Sequence, residues 1–132
     1  MSQTKCETVV ILGASPKPER YAYRAMEMLR AHGHRAIPVN PAFPEILGEP
    51  CYPSMTDVPE PIETITIYLG PQRSQLLVAE ILAAKPRRII MNPGAENEDL
   101  ATQARDAGID SFTRSLETFS NSITSACLPR AG

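Results

Sequence analysis

Short apolar runs alternate with amphipathic stretches along this chain. Thr8-Val9-Val10-Ile11-Leu12 is a β-branched run closed by Gly13, the pattern of a strand buried on both faces. After a turn over 13–19, Ala22, Ala25, Met26 and Leu29 recur at three- and four-residue spacing, with Glu27 and Arg30 off that face. This predicts a helix from Arg20 to His32, stopped by Gly33. Arg35 to Asn40 follows as a strand ended by Pro41. The pattern then recurs. Alternating β-branched positions predict a strand over Ile62 to Leu69, closed by Gly70-Pro71. A helix is expected over Ser74 to Ala84, with Leu77, Ile81 and Ala84 on one face and Pro86 beyond its end. Arg87 to Met91 reads as a strand leading into Asn92-Pro93-Gly94, Glu98 to Ala107 as a helix stopped at Gly108, and Ile109 to Thr113 as a last strand. Residues 115–132 are polar and serine-rich, which predicts a short helix at best and then a loose tail.

Strands alternating with helices imply a mostly parallel sheet covered on both faces, a Rossmann-like doubly wound α/β fold. In 132 residues this fits a single domain, with its core over about 7–113 and the tail over 114–132. Most of the thirteen prolines fall between Pro38 and Pro71, so the turns concentrate there, and neither a Gly/Ser linker nor a repeat marks a domain boundary. In such sheets the ligand lies beyond the carboxyl ends of the strands, where strand order reverses. The exits after Leu12, Asn40, Leu69 and Met91 are therefore expected to converge, and each carries Gly, Pro or Asn.

Composition narrows the function classes. The net charge of −2 gives no footprint for nucleic acid or an anionic membrane. No apolar run approaches the roughly 18 residues of a membrane span, and Met1 to Glu7 lacks a secretory apolar region. Cys6, Cys51 and Cys127 are odd in number and widely spaced, which argues against a disulfide framework or a zinc site and for a reducing, cytoplasmic setting.

The turn Gly13-Ala14-Ser15-Pro16-Lys17-Pro18-Glu19-Arg20 carries the candidate chemistry. Gly13 permits a sharp turn with positive φ, backbone amides and a helix N-terminus attract anions, and Ser15 adds a hydroxyl. Lys17, Arg20 and Arg24 supply three positive charges against Glu19. The segment is neither the dinucleotide fingerprint nor a Walker A loop. A structural turn with solvated cations is the plainer alternative. At the end of the second strand, NAD domains usually place a carboxylate for the ribose; here the residues are Val39-Asn40-Pro41. That leaves room for a ribose phosphate, so coenzyme A (CoA) and NADP both stay open on these residues.

Gly13-Ala14-Ser15 with Pro18, Arg20 and Tyr23, then Ile37-Pro38-Val39-Asn40-Pro41, resembles the small stand-alone CoA-binding proteins. Their domain is similar to the CoA-binding domain of the succinyl-CoA synthetase α subunit. The resemblance continues through Glu45-Ile46-Leu47-Gly48, Tyr52-Pro53-Ser54, Asp57-Val58-Pro59 and Asn97-Glu98, over about residues 7–113. It implies a binding module for CoA or an acyl-CoA without catalysis of its own. It further implies that Gly13, Ala14, Ser15 and Lys17 face the phosphates and that Asn40 and Pro41 border the adenosine. Leu69, Gly70 and Pro71, with Asn92, Pro93 and Gly94, would line the path of the pantetheine arm. The chain departs from the family at Tyr68-Leu69-Gly70-Pro71, Asn92-Pro93-Gly94-Ala95 and Thr113-Arg114-Ser115. An NAD(P)-binding redox enzyme or regulator on the same fold is the alternative, and a partner enzyme or a homo-oligomer is compatible with either.

Other polar clusters read as structural. His32 and His34 flank Gly33 at a helix end, where capping or solvation accounts for them. Glu96, Glu98 and Asp99 open a helix, as capping acids do. Cys51 and Cys6 lack a neighbour that would stabilise a thiolate. No catalytic Ser/His/Asp set can be assembled.

Overall fold

The computed structural model describes residues 7–113; the expected short helix or tail over 114–132, with Cys6 and Cys127, lies outside them. Five strands form one parallel sheet: β1 (Thr8–Leu12), β2 (Arg35–Val39), β5 (Thr64–Ile67), β6 (Arg88–Met91) and β7 (Asp110–Thr113). Their order is β2-β1-β5-β6-β7. A separate two-stranded antiparallel hairpin, β3 (Glu45–Ile46) and β4 (Glu49–Pro50), packs beside β2. The helices are α1 (Tyr21–Ala31), α2 (Pro71–Ser74), α3 (Val78–Ala83) and α4 (Glu98–Asp106), with 3₁₀ turns over Met55–Asp57 and Gln75–Leu77. This is the Rossmann-like architecture expected from the alternating pattern.

The apolar runs explain the layers. Successive residues of a strand point to opposite faces. In β1, Val10 and Leu12 join Ile37, Ile65, Ile67, Ile89 and Met91 under α3 and α4. Val9 and Ile11 join Ala36 and Ile90 under α1, where Ala22, Ala25, Met26 and Leu29 are buried. Burying a residue such as Met26 or Leu29, each fully enclosed, contributes about 1.5–3 kcal/mol relative to leaving it exposed. At the end of α1, Gly33 at φ +86° lets its amide reach the Arg30 carbonyl while the His34 amide reaches that of Leu29, a Schellman ending.

Three expectations are corrected. The predicted strand over Ile62 to Leu69 shortens to Thr64–Ile67, and all four residues are buried. Its alternation does not mark a solvent face: Thr64 Oγ1 donates to Glu7 Oε1 at 2.8 Å, and Thr66 Oγ1 accepts from Asn92 Nδ2 at 2.7 Å. Polar side chains can sit in a two-sided core when so satisfied. The predicted helix over Ser74 to Ala84 starts at Pro71, with Gly70 as its N-cap, and breaks into three pieces around Leu77, whose φ is −110°. Proline fits a first helical position because it has no amide hydrogen to leave unpaired. His34 does not cap α1 with its side chain. It is buried, and its Nδ1 accepts the Glu7 amide hydrogen at 3.0 Å.

Opposite the carboxyl ends of the strands, Glu7 gathers several of them. Its Oε2 lies 2.9 Å from Arg88 on β6, its Oε1 accepts from Thr64 on β5, and its carbonyl accepts the Arg35 amide hydrogen at the start of β2. No helix among the described residues is long and apolar enough to cross a membrane.

Candidate functional site

The reversal of strand order lies between β1 and β5, because β2 flanks β1 on one side and β5, β6 and β7 follow on the other. A crevice opens there, beyond the carboxyl ends. The turn after β1 forms its floor. Gly13 has φ +90° and donates its amide hydrogen to the Val39 carbonyl at 3.0 Å, and Ala14 does the same at 3.4 Å. In return Asn40 Nδ2 donates to the Ala14 carbonyl at 2.8 Å. These bonds lock the β1 and β2 exits together. They also spend the Gly13 and Ala14 amides, which sequence reasoning had offered to an anion.

The groups of this turn that remain free lie one step further along. Ser15 Oγ accepts the Lys17 amide hydrogen at 3.1 Å, so its own hydrogen stays available to donate. Pro16 and Pro18 have no amide hydrogen, and the Arg20 amide bonds to the Lys17 carbonyl. Helix α1 then begins with Arg20 as an N-cap that makes no side-chain capping bond, and no acidic residue lies in its first turn. No side chain of its first turn thus offsets the positive end of its dipole. Helix α4 is the contrast. Asn97 caps it through the Leu100 amide at 3.0 Å, and Glu98 and Asp99 fill its first turn.

Two adjoining cavities occupy the crevice. One, of about 360 Å³, is lined by Gly13, Ala14, Ser15, Lys17, Arg20, Tyr21, Ala22, Asn40, Phe43, Tyr68, Leu69, Arg73 and Pro93. The other, of about 380 Å³, is mostly apolar and is lined by Leu12, Gly13, Val39, Asn40, Pro41, Ala42, Pro53, Ser54, Met55, Leu69, Arg73, Leu76, Leu77 and Glu80. Gly13, Asn40, Leu69 and Arg73 border both. Each volume lies in the range of small-molecule sites. A cationic polar cavity continuous with an apolar one suits a ligand that joins phosphates to an aromatic base.

Nine of the sequence-selected residues thus meet at one place: Gly13, Ala14, Ser15, Lys17, Arg20, Asn40, Pro41, Leu69 and Pro93. Five do not line either cavity. Arg24 lies on α1 with its guanidinium 5.9 Å from the Tyr21 ring centroid. Gly70 and Pro71 begin α2. Asn92 is buried, with Nδ2 donating to Thr66 Oγ1 and to the Ile67 carbonyl. Gly94 sits in a turn where its amide donates to Glu96 Oε1. Sequence reasoning missed Arg73, Glu80 and the aromatic rings of Tyr21, Phe43 and Tyr68. For Arg73 a signal existed: a cation shortly after a strand exit, the same rule that selected Lys17 and Arg20.

Cys51 is buried behind the Asn40 loop, its thiol donating to the Asn40 carbonyl at 3.4 Å. Burial pushes this thiol above its ordinary range, against the smaller pull of that hydrogen bond, which leaves it a poor nucleophile at neutral pH. Among the described residues no group of three or more His, Cys, Asp or Glu could hold a metal ion.

Comparison with known proteins gives the family and the fold. A family model described as CoA binding domain matches residues 7–116. A solved structure of an uncharacterized protein is 38% identical, with a TM-score of 0.80 over 88% of this chain and 96% of that one. A hypothetical protein from Pyrococcus horikoshii OT3 is 30% identical, with a TM-score of 0.84 over 89% of this chain and 84% of that one. Acetate–CoA ligase [ADP-forming] I of Archaeoglobus fulgidus is 38% identical over 61 residues, which are 46% of this chain and 9% of the ligase. That match therefore spans less than a tenth of the relative's length.

Proposed function

We propose that this chain, which belongs to the CoA binding domain family, binds coenzyme A or an acyl-CoA as a cytoplasmic binding module, with no catalytic step of its own. The observation that carries this reading is the uncapped, acid-free start of α1, which opens into a cavity with Ser15, Lys17 and Arg20 and continues into an apolar one. The diphosphate lies against the first turn of α1, held by its dipole, the Ser15 hydroxyl and the two cations. The adenosine lies in the apolar cavity beside Asn40 and Pro41. Arg73, which borders both cavities, balances the ribose 3′-phosphate. The pantetheine arm leaves past Tyr68 and Pro93, which also line the polar cavity.

Asn40 also stands where NAD domains usually carry a carboxylate for an unphosphorylated ribose. Isothermal titration with CoA, dephospho-CoA and NADPH tests the reading. CoA binds, dephospho-CoA binds more weakly, and NADPH does not compete. Binding of NADPH with none of CoA at millimolar concentration overturns it in favour of a nicotinamide cofactor. Equal affinity for CoA and dephospho-CoA removes the role given to Arg73.

A further inference from the structure

The apolar cavity holds one carboxylate, Glu80 of α3, and one hydroxyl, Ser54, and these two are hydrogen-bonded to each other. An ionised carboxylate has no hydrogen to give, so Ser54 donates and Glu80 Oε1 accepts. The Ser54 hydrogen is then committed. Its oxygen lies 3.0 Å from Thr56 Oγ1, which must donate to it, and it also accepts the Thr56 amide hydrogen at 3.3 Å. The chain from Thr56 through Ser54 to Glu80 therefore runs in one direction and fixes the carboxylate. Glu80 Oε2 makes no hydrogen bond to the described residues, and Glu80 lines this cavity, so an acceptor is left for a ligand there.

The walls around it are Leu12, Val39, Met55, Leu76 and Leu77. Apolar walls with one carboxylate among them suit a base that offers a donor at its edge. We infer that Glu80, held by Ser54, selects the base of the bound nucleotide by accepting a hydrogen bond from the exocyclic amino group of adenine. The inference rests on the CoA reading above and adds the residue that recognises the adenine moiety. A guanine edge presents two parallel donors, which pair best with both oxygens of a free carboxylate. Here Oε1 already accepts from Ser54, so a second guanine donor would have to share that oxygen, which favours the single amino donor of adenine.

Binding of ADP, purine riboside 5′-diphosphate (the same ring without the amino group), GDP and CoA distinguishes these roles. The wild-type protein prefers ADP to the desamino nucleotide by about ten- to a hundredfold, the worth of a hydrogen bond to a charged group. Glu80→Gln keeps an acceptor without the charge and gives an intermediate ratio. Glu80→Met keeps the length and helix preference of the side chain and brings the ratio to unity. A structural role for Glu80 would instead weaken both nucleotides equally. That result, a wild-type ratio near one, or tighter binding of GDP than of ADP overturns the inference. CoA binding by the wild type, with no preference for ADP, overturns base selection alone. Absence of CoA binding overturns the reading on which it rests.

Discussion

Leu69 fills the space that a side chain at Gly13 would need. A Cβ built on Gly13 stands 2.9 Å from Leu69 Cδ2 and 3.3 Å from the Tyr68 carbonyl carbon. The turn after β1 is therefore pressed directly against the chain leaving β5, and the crevice between the two strands is closed at its base.

Gly13→Ala combines this contact with a φ of +90° that L-residues rarely adopt. It is expected to cost about 1–3 kcal/mol and to reduce CoA binding by displacing the turn. Urea denaturation of Gly13→Ala, Leu69→Ala and the double variant measures the two parts. Leu69→Ala relieves the side-chain contact but not the backbone strain, so the double mutant recovers only part of the loss. Full additivity would show that the two residues do not press on each other.

Lys17 and Arg20 line the polar cavity, whereas Arg24 does not and stacks on Tyr21. Lys17→Gln and Arg20→Gln are each expected to weaken CoA binding by about 0.5–2 kcal/mol and to flatten its salt dependence. Arg24→Gln should leave affinity unchanged. Titration at two ionic strengths checks this, and an Arg24 effect equal to that of Arg20 would contradict the geometry.

His34 predicts a pH dependence of stability. Burial pushes its imidazole below the ordinary 6.5, against the pull of Glu7, while His32 adds to the depression and Glu63 opposes it. The Glu7 amide donates to Nδ1, so protonating that nitrogen would set two donors face to face. The folded state favours the neutral ring, while the unfolded chain takes up its proton at the ordinary pKa. Stability from this site is complete above pH 6.5 and declines as pH falls through 6.5 toward the lower folded value. Urea midpoints measured from pH 8 to pH 5 should show that decline. His34→Gln, which keeps an acceptor for the Glu7 amide, should lessen it.

Arg88 and Glu7 form an ion pair at 2.9 Å with side chains only 17% and 7% exposed. Arg88→Ala leaves the Glu7 carboxylate buried without its cation and is expected to cost about 3–5 kcal/mol. Combining Arg88→Met with Glu7→Gln removes both charges and should recover most of that loss. Thermal and urea unfolding of the two variants give the comparison. Ligand affinity should not change, because the pair lies at the opposite end of the strands from the crevice.

The layer pattern was legible in the sequence because it depends on local periodicity. Thr8–Leu12 has the bounds its apolar run implies, and α1 and α4 fall within a residue of theirs. The β3–β4 hairpin escaped, since two-residue strands leave no periodic trace. The break near Leu77 escaped too, because the apolar spacing of Leu77, Ile81 and Ala84 continues across it.

By itself, then, the sequence determined where the five strands of the sheet and the helices α1 and α4 lie, that the sheet is parallel and covered on both faces, and that the turn at Gly13 meets the exit at Asn40. Tertiary structure alone decided which groups of that turn are free. The Gly13 and Ala14 amides are spent on Val39, a residue from another strand, and no local pattern records such a pairing. Tertiary structure also brought Arg73 and Glu80 to the site and joined Ser54 to Glu80 across 26 positions. Periodicity reports which face of an element is buried; which side chains face one another across a crevice depends on how the elements pack.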